Sequence, residues 1–61
     1  MTHSEEIEEI LINAHSENIS NEVILEVNKL GIRDIKTIEA RLKIYTKAIE
    51  NVRRNKTVWF Y

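Results

Sequence analysis

Six apolar residues, Ile35, Ile38, Leu42, Tyr45, Ile49 and Val52, recur at intervals of 3, 4, 3, 4 and 3. A spacing that alternates between three and four keeps side chains on one face of an α-helix, whereas a strand sends successive side chains to opposite faces. The pattern predicts one helix over residues 34–54, about 31 Å long at the usual rise of roughly 1.5 Å per residue. Its heptad seam would pack against other helices by interlocking side chains. A seam of that length has to be covered, either by the rest of the chain or by another molecule.

The rest of the chain is short. Sixty-one residues make one domain and bury a small fraction of their surface, so a lone monomer is marginal. Small proteins of this kind add disulfides, metal or a second subunit. There is no cysteine, and the two histidines are His3 and His15. Oligomerisation is therefore the expected supplement. The start, Met1-Thr2-His3-Ser4-Glu5-Glu6, is polar and acidic, unlike a secretory or mitochondrial leader. The longest apolar run, Val58-Trp59-Phe60-Tyr61, is far too short for a membrane span. A cytoplasmic protein with no membrane partner is expected.

Charge is segregated. Residues 1–28 carry seven glutamates and no Lys or Arg, and residues 29–61 carry nine Lys or Arg against Asp34, Glu39 and Glu50. The halves hold −7 and +6 within a net charge of −1. Packing the acidic segments on the basic helix would neutralise both. A face left unbalanced would attract an oppositely charged partner.

In chain order, Thr2-x-x-Glu5 has the form of a capping box, with Ser4 an equal candidate for the cap. Ile7, Ile10, Leu11 and Ala14 then form one helical stripe, which predicts a helix over about 4–15. Residues 15–19 read as a loop or a frayed continuation. Ser20 or Asn21 caps a second helix over about 20–30, with Val23, Val27 and Leu30 as its stripe and Ile24 widening it. Gly31 suits the left-handed position that ends a helix. The run Glu22–Val27 is rich in β-branched residues and would also suit a buried strand; the Gly-terminated length favours helix. Asp34 is the expected cap of the long helix, and Glu39–Lys43 and Glu50–Arg54 are expected i, i+4 pairs. Residues 55–61 form an aromatic C-terminal tail.

No catalytic, cofactor or metal site is predicted. His15 and Ser16 are adjacent and point apart on a helix, so they cannot act as base and nucleophile. The many carboxylates sit on an exposed helix with nothing to split their pKa values. His3-x-x-Glu6 offers two ligands where structural zinc needs four.

Residues 29–42, from Lys29-Leu30-Gly31-Ile32 through Thr37-Ile38-Glu39-Ala40-Arg41-Leu42, resemble the turn and recognition helix of helix-turn-helix proteins such as response-regulator output domains. In that family a Leu-Gly-Ile turn leads into a Thr-Val/Ile-Glu-x-Arg-Leu helix. Here the turn carries one residue more, and Arg33 stands where a capping Ser or Thr is usual. The resemblance implies that Lys36, Thr37 and Arg41 lie on a helix entering the DNA major groove. The acidic first half opposes this, because DNA binding needs a positive face that releases counterions.

Trp and Tyr are common interface hot spots, and Trp59 falls at the next seam position after Val52. The expected protein interface is thus Tyr45, Ile49, Val52, Trp59, Phe60 and Tyr61, left partly uncovered in a monomer. The fold expected is all-α, a small three-helix bundle of two short helices plus one long C-terminal helix, completed by homo-oligomerisation. The expected function is that of a non-enzymatic helical interaction module, a regulator or inhibitor of a protein partner. The alternative is a helix-turn-helix transcriptional regulator using residues 21–42, with nucleic acid as its partner.

Overall fold

Thr2 opens the first helix. Its hydroxyl accepts the Glu5 backbone N–H at 3.2 Å and donates to the Glu5 carboxylate at 3.2 Å, so the box closes on the threonine side chain. In the computed structural model, which describes residues 2–58 with side chains as far as Lys56, this cap begins α1 (His3–Ser16). Beyond it lie α2 (Ser20–Lys29), a short 3-10 turn (Ile32–Asp34) and α3 (Ile38–Val58). The protein is all-α, with three helices packed together and the C-terminal one longest. The Glu22–Val27 run is helical.

Residues 15–19 are not loose. Asn18 takes the left-handed conformation, φ 61°. Its N–H donates to the carbonyl of His15 at 3.0 Å, and the N–H of Ile19 donates to that of Ala14 at 2.8 Å. These two bonds form a Schellman closure of α1. They also turn Ile19 inward, where it joins Ala14 in the buried cluster. Ile19, rather than Ser20 or Asn21, occupies the N-cap position of α2, and it makes no side-chain capping bond there. Gly31 ends the α2 region as expected, with φ 84° and its N–H donating to Asn28 at 3.1 Å.

The long helix starts four residues later than predicted. Asp34 is spent in the 3-10 turn, Ile35 is extended, and Thr37 is the cap. The Thr37 hydroxyl accepts the Ala40 N–H at 3.3 Å, and its carbonyl accepts the Arg41 N–H at 3.1 Å. At the other end nothing in the sequence stops the helix at Arg54, and it continues to Val58.

His3 lies 3.5 Å from Glu39 near the starts of α1 and α3, and Glu17 meets Arg53 towards their ends. These contacts set α1 and α3 side by side and parallel. Asn51 donates to Glu26 at 3.1 Å, tying α2 to the C-terminal half of α3. The core is Ala14, Ile19, Val23, Val27, Ala48, Ile49 and Val52. Ile10, Ile32, Ile44 and Tyr45 pack partly buried against it.

The seam is corrected at both ends. Its N-terminal residues are the uncovered ones: Ile38 is 44% exposed, and Ile35 and Leu42 are half-buried. Its C-terminal residues were expected in the open, yet Ile49 and Val52 are 4% and 6% exposed. The reason is that α1 runs parallel to α3 while α2 packs on the C-terminal half. Ala48, outside the heptad, is fully buried with them, because a small residue lets neighbouring helices approach closely.

Candidate protein-docking surface

On α2, Val23 and Val27 face the core, so the opposite face is set by the 3.6-residue period. That face carries Asn21, Ile24, Leu25 and Asn28, all exposed. Leu25 is 63% exposed and Ile24 47%. Ile24 and Leu25 are adjacent aliphatic side chains on this face, with the exposed Glu22 and Lys29 flanking Leu25. Apolar surface of this kind marks contact sites when it is contiguous with a concavity. Such a concavity is present. An open groove of about 350 Å³ runs between α2 and α3, lined by Glu22, Leu25, Glu26 and Lys29 on one side and by Val52, Asn55 and Lys56 on the other.

The charges around it are only partly neutralised. Arg53 grips Glu17 with two hydrogen bonds, Nε to Oε1 at 2.9 Å and Nη2 to Oε2. Those bonds, with the nearby charges of Arg53 and Lys56, hold the Glu17 carboxyl below the usual carboxylate range against some loss of hydration. The same partnership raises the Arg53 guanidinium above its ordinary value. His3 sits between Glu6 at 3.6 Å and Glu39 at 3.5 Å, an ion-pair arrangement when its imidazole is protonated. Among the described residues, no cation pairs with Glu8, Glu9 or Glu22, and the expected Glu39–Lys43 and Glu50–Arg54 pairs do not close. Glu39 is turned towards His3 instead.

The residues singled out in the sequence are scattered. Ile49 and Val52 belong to the core, with Val52 also reaching the groove, and Tyr45 is half-buried beside them. Trp59, Phe60 and Tyr61 lie outside the described residues. Lys36 is in the connection before α3, Thr37 caps that helix, and Arg41 donates its Nε–H to the carbonyl of Ile35 at 3.1 Å. The expectation that all three lie on one recognition helix is therefore corrected. The connection over 30–37 contains a 3-10 turn, whereas a helix-turn-helix joins its two helices through three or four residues.

Among the described residues, no polar or charged side chain is buried and no group of three or more His, Cys, Asp or Glu is arranged to hold a metal. No described helix is long and apolar enough to cross a membrane. Sequence reasoning missed the α2 face because it placed Ile24 in a widened core stripe and gave Leu25 no role. Their signal was available: three apolar residues in a row, Val23, Ile24 and Leu25, with Val27 beyond Glu26, cannot all share one narrow face. Fold and surface together define a small all-α protein with an exposed aliphatic face beside a groove. Comparison with protein-family models, curated proteins and solved structures finds no match for the chain.

Proposed function

We propose that this protein is a non-enzymatic helical interaction module, a cytoplasmic regulator or inhibitor that acts by docking a protein on the α2 face and its groove. The observation that carries this reading is the exposure of Leu25 and Ile24 beside the open groove. Burying them would remove apolar surface from water without breaking any contact of the core. The reading is also supported by the lack of buried titratable side chains among the described residues, since tuned acids and bases depend on burial. The helix-turn-helix alternative has less behind it. Thr37 is engaged as a cap and Arg41 holds a backbone carbonyl, which leaves Lys36 as the one predicted DNA contact with no such bond.

Leu25→Glu separates the readings. It alters an exposed position, so the far-UV spectrum and thermal midpoint should stay unchanged. A tagged wild-type chain should retain a protein from a lysate of the source cells, and the variant should lose it. Capture that is indifferent to the substitution would remove the α2 face from consideration. Tight, sequence-specific duplex binding at physiological salt, relaxed by Lys36→Ala or Arg41→Ala, would replace the module by the DNA-binding alternative.

A further inference from the structure

Resting on the interaction-module reading, we infer that the occupant of this face is a second copy of the chain, docked α2 against α2 about a two-fold axis. Glu22 stands three residues before Leu25 and Lys29 four residues after it. At those spacings all three share one face of α2, and all three line the groove. Reversing the helix direction exchanges the carboxylate with the ammonium and leaves an aliphatic side chain at the centre. The face is its own complement.

Two copies laid antiparallel, with the axis beside Leu25, bring each Glu22 against the partner subunit's Lys29. A parallel pairing would set Glu22 against the partner subunit's Glu22, so charge selects the antiparallel, isologous arrangement. A foreign partner requires no such internal symmetry in the surface it meets. The same axis delivers the partner subunit's Leu25 to the mouth of the groove, where Val52 and Leu25 offer apolar contact. A stable interface takes about 800 Å² from each partner, roughly a sixth of the 4829 Å² surface of this chain. The ten-residue helix is too short to supply that area alone, so the interface has to extend onto the α3 rim of the groove at Asn55 and Lys56.

Sedimentation equilibrium of the full chain tests this. Wild type should be a dimer at high micromolar concentration, and Leu25→Glu a monomer whose thermal midpoint equals that of the wild type at concentrations too low for association. Glu22→Lys and Lys29→Glu should each weaken association by about tenfold, because symmetry turns two attractive pairs into two repulsive ones. The double variant E22K/K29E should regain wild-type association, since the exchange restores both pairs. A wild-type monomer throughout the range overturns the inference, and so does a dimer insensitive to the single charge changes. A monomer that still captures a lysate protein through Leu25 overturns the second copy and leaves the module reading standing. A monomer that captures nothing overturns both. A monomer whose Trp59 emission shifts on Leu25→Glu makes the chain's own C-terminal segment the occupant, which also overturns the second copy.

Discussion

Glu17 is the residue where the acidic and basic halves meet most directly. Arg53 lowers its pKa first by hydrogen bonding and then, with Lys56, by charge, while partial desolvation opposes them. A carboxyl whose folded pKa lies below its unfolded one binds more protons when the chain unfolds. Its contribution to stability is therefore complete above the ordinary value of 4.5 and is lost as pH falls through the lower folded value. The stability difference between wild type and Glu17→Gln should be constant at neutral pH and shrink in acid, as followed by urea unfolding across the acid range. A difference that persists unchanged at the acid end would mean that the charge on Glu17 does not matter. Added salt should shrink it too, because the pair is exposed and screened. Such a contact could not be read from the sequence. Glu17 and Arg53 are far apart in the chain, and neither periodicity nor local pairing rules link them. Asn18 was equally hidden, since asparagine serves as readily before a helix as after one, and Ser20 and Asn21 competed for the role next to it. Gly31 had no such rival and was legible at once.

At the scale of the helix, the existence of three segments was legible because each carries an apolar stripe at helical spacing. The start of α3 was not. Asp34 and Thr37 are both good caps, and Ile35 extends the heptad whether or not it is helical, so the pattern cannot choose between them. Geometry decides. Thr37 accepts the Ala40 N–H, while Asp34 closes a 3-10 turn through its backbone. Removing a capping hydroxyl costs about 1 kcal/mol, and a surface change away from such features stays within roughly 0.5 kcal/mol. Thr37→Ala should thus lower the urea midpoint clearly while Asp34→Ala leaves it nearly where it was. The reverse order would return the start of the helix to Asp34. The shift of four residues takes Lys36 and Thr37 off the helix and leaves Arg41 on it.

For the whole molecule, the decisive fact is how small a core the described residues form. Among them Ala14, Ile19, Val23, Val27, Ala48, Ile49 and Val52 are buried, two of them alanines and none aromatic. A single core in a chain this short rarely supplies more than about 3–5 kcal/mol of net stability. The direction of packing explains why the sequence misjudged which end of the seam it covers. Stripe positions say that a helix has a buried face but not which neighbour lies along which half of it, and the parallel course of α1 with α2 on the C-terminal half was invisible in the spacing. Ile49 therefore tests the fold, where the seam alone would have made it a test of assembly. Shortening a buried Ile to Ala costs about 2–5 kcal/mol through lost transfer energy and the cavity left behind, and Ile→Val costs about 0.5–1.5 kcal/mol. Against so small a total, Ile49→Val should fold with a lowered midpoint and Ile49→Ala should be largely unfolded, losing its helical far-UV signal even at high protein concentration. Leu25→Glu, a harsher change in chemistry, should keep that signal because Leu25 faces water. An Ile49→Ala chain as helical and as stable as wild type would show that the C-terminal half of α3 is not the core. The opposite faces assigned to Ile49 and Leu25 would then both have to be abandoned.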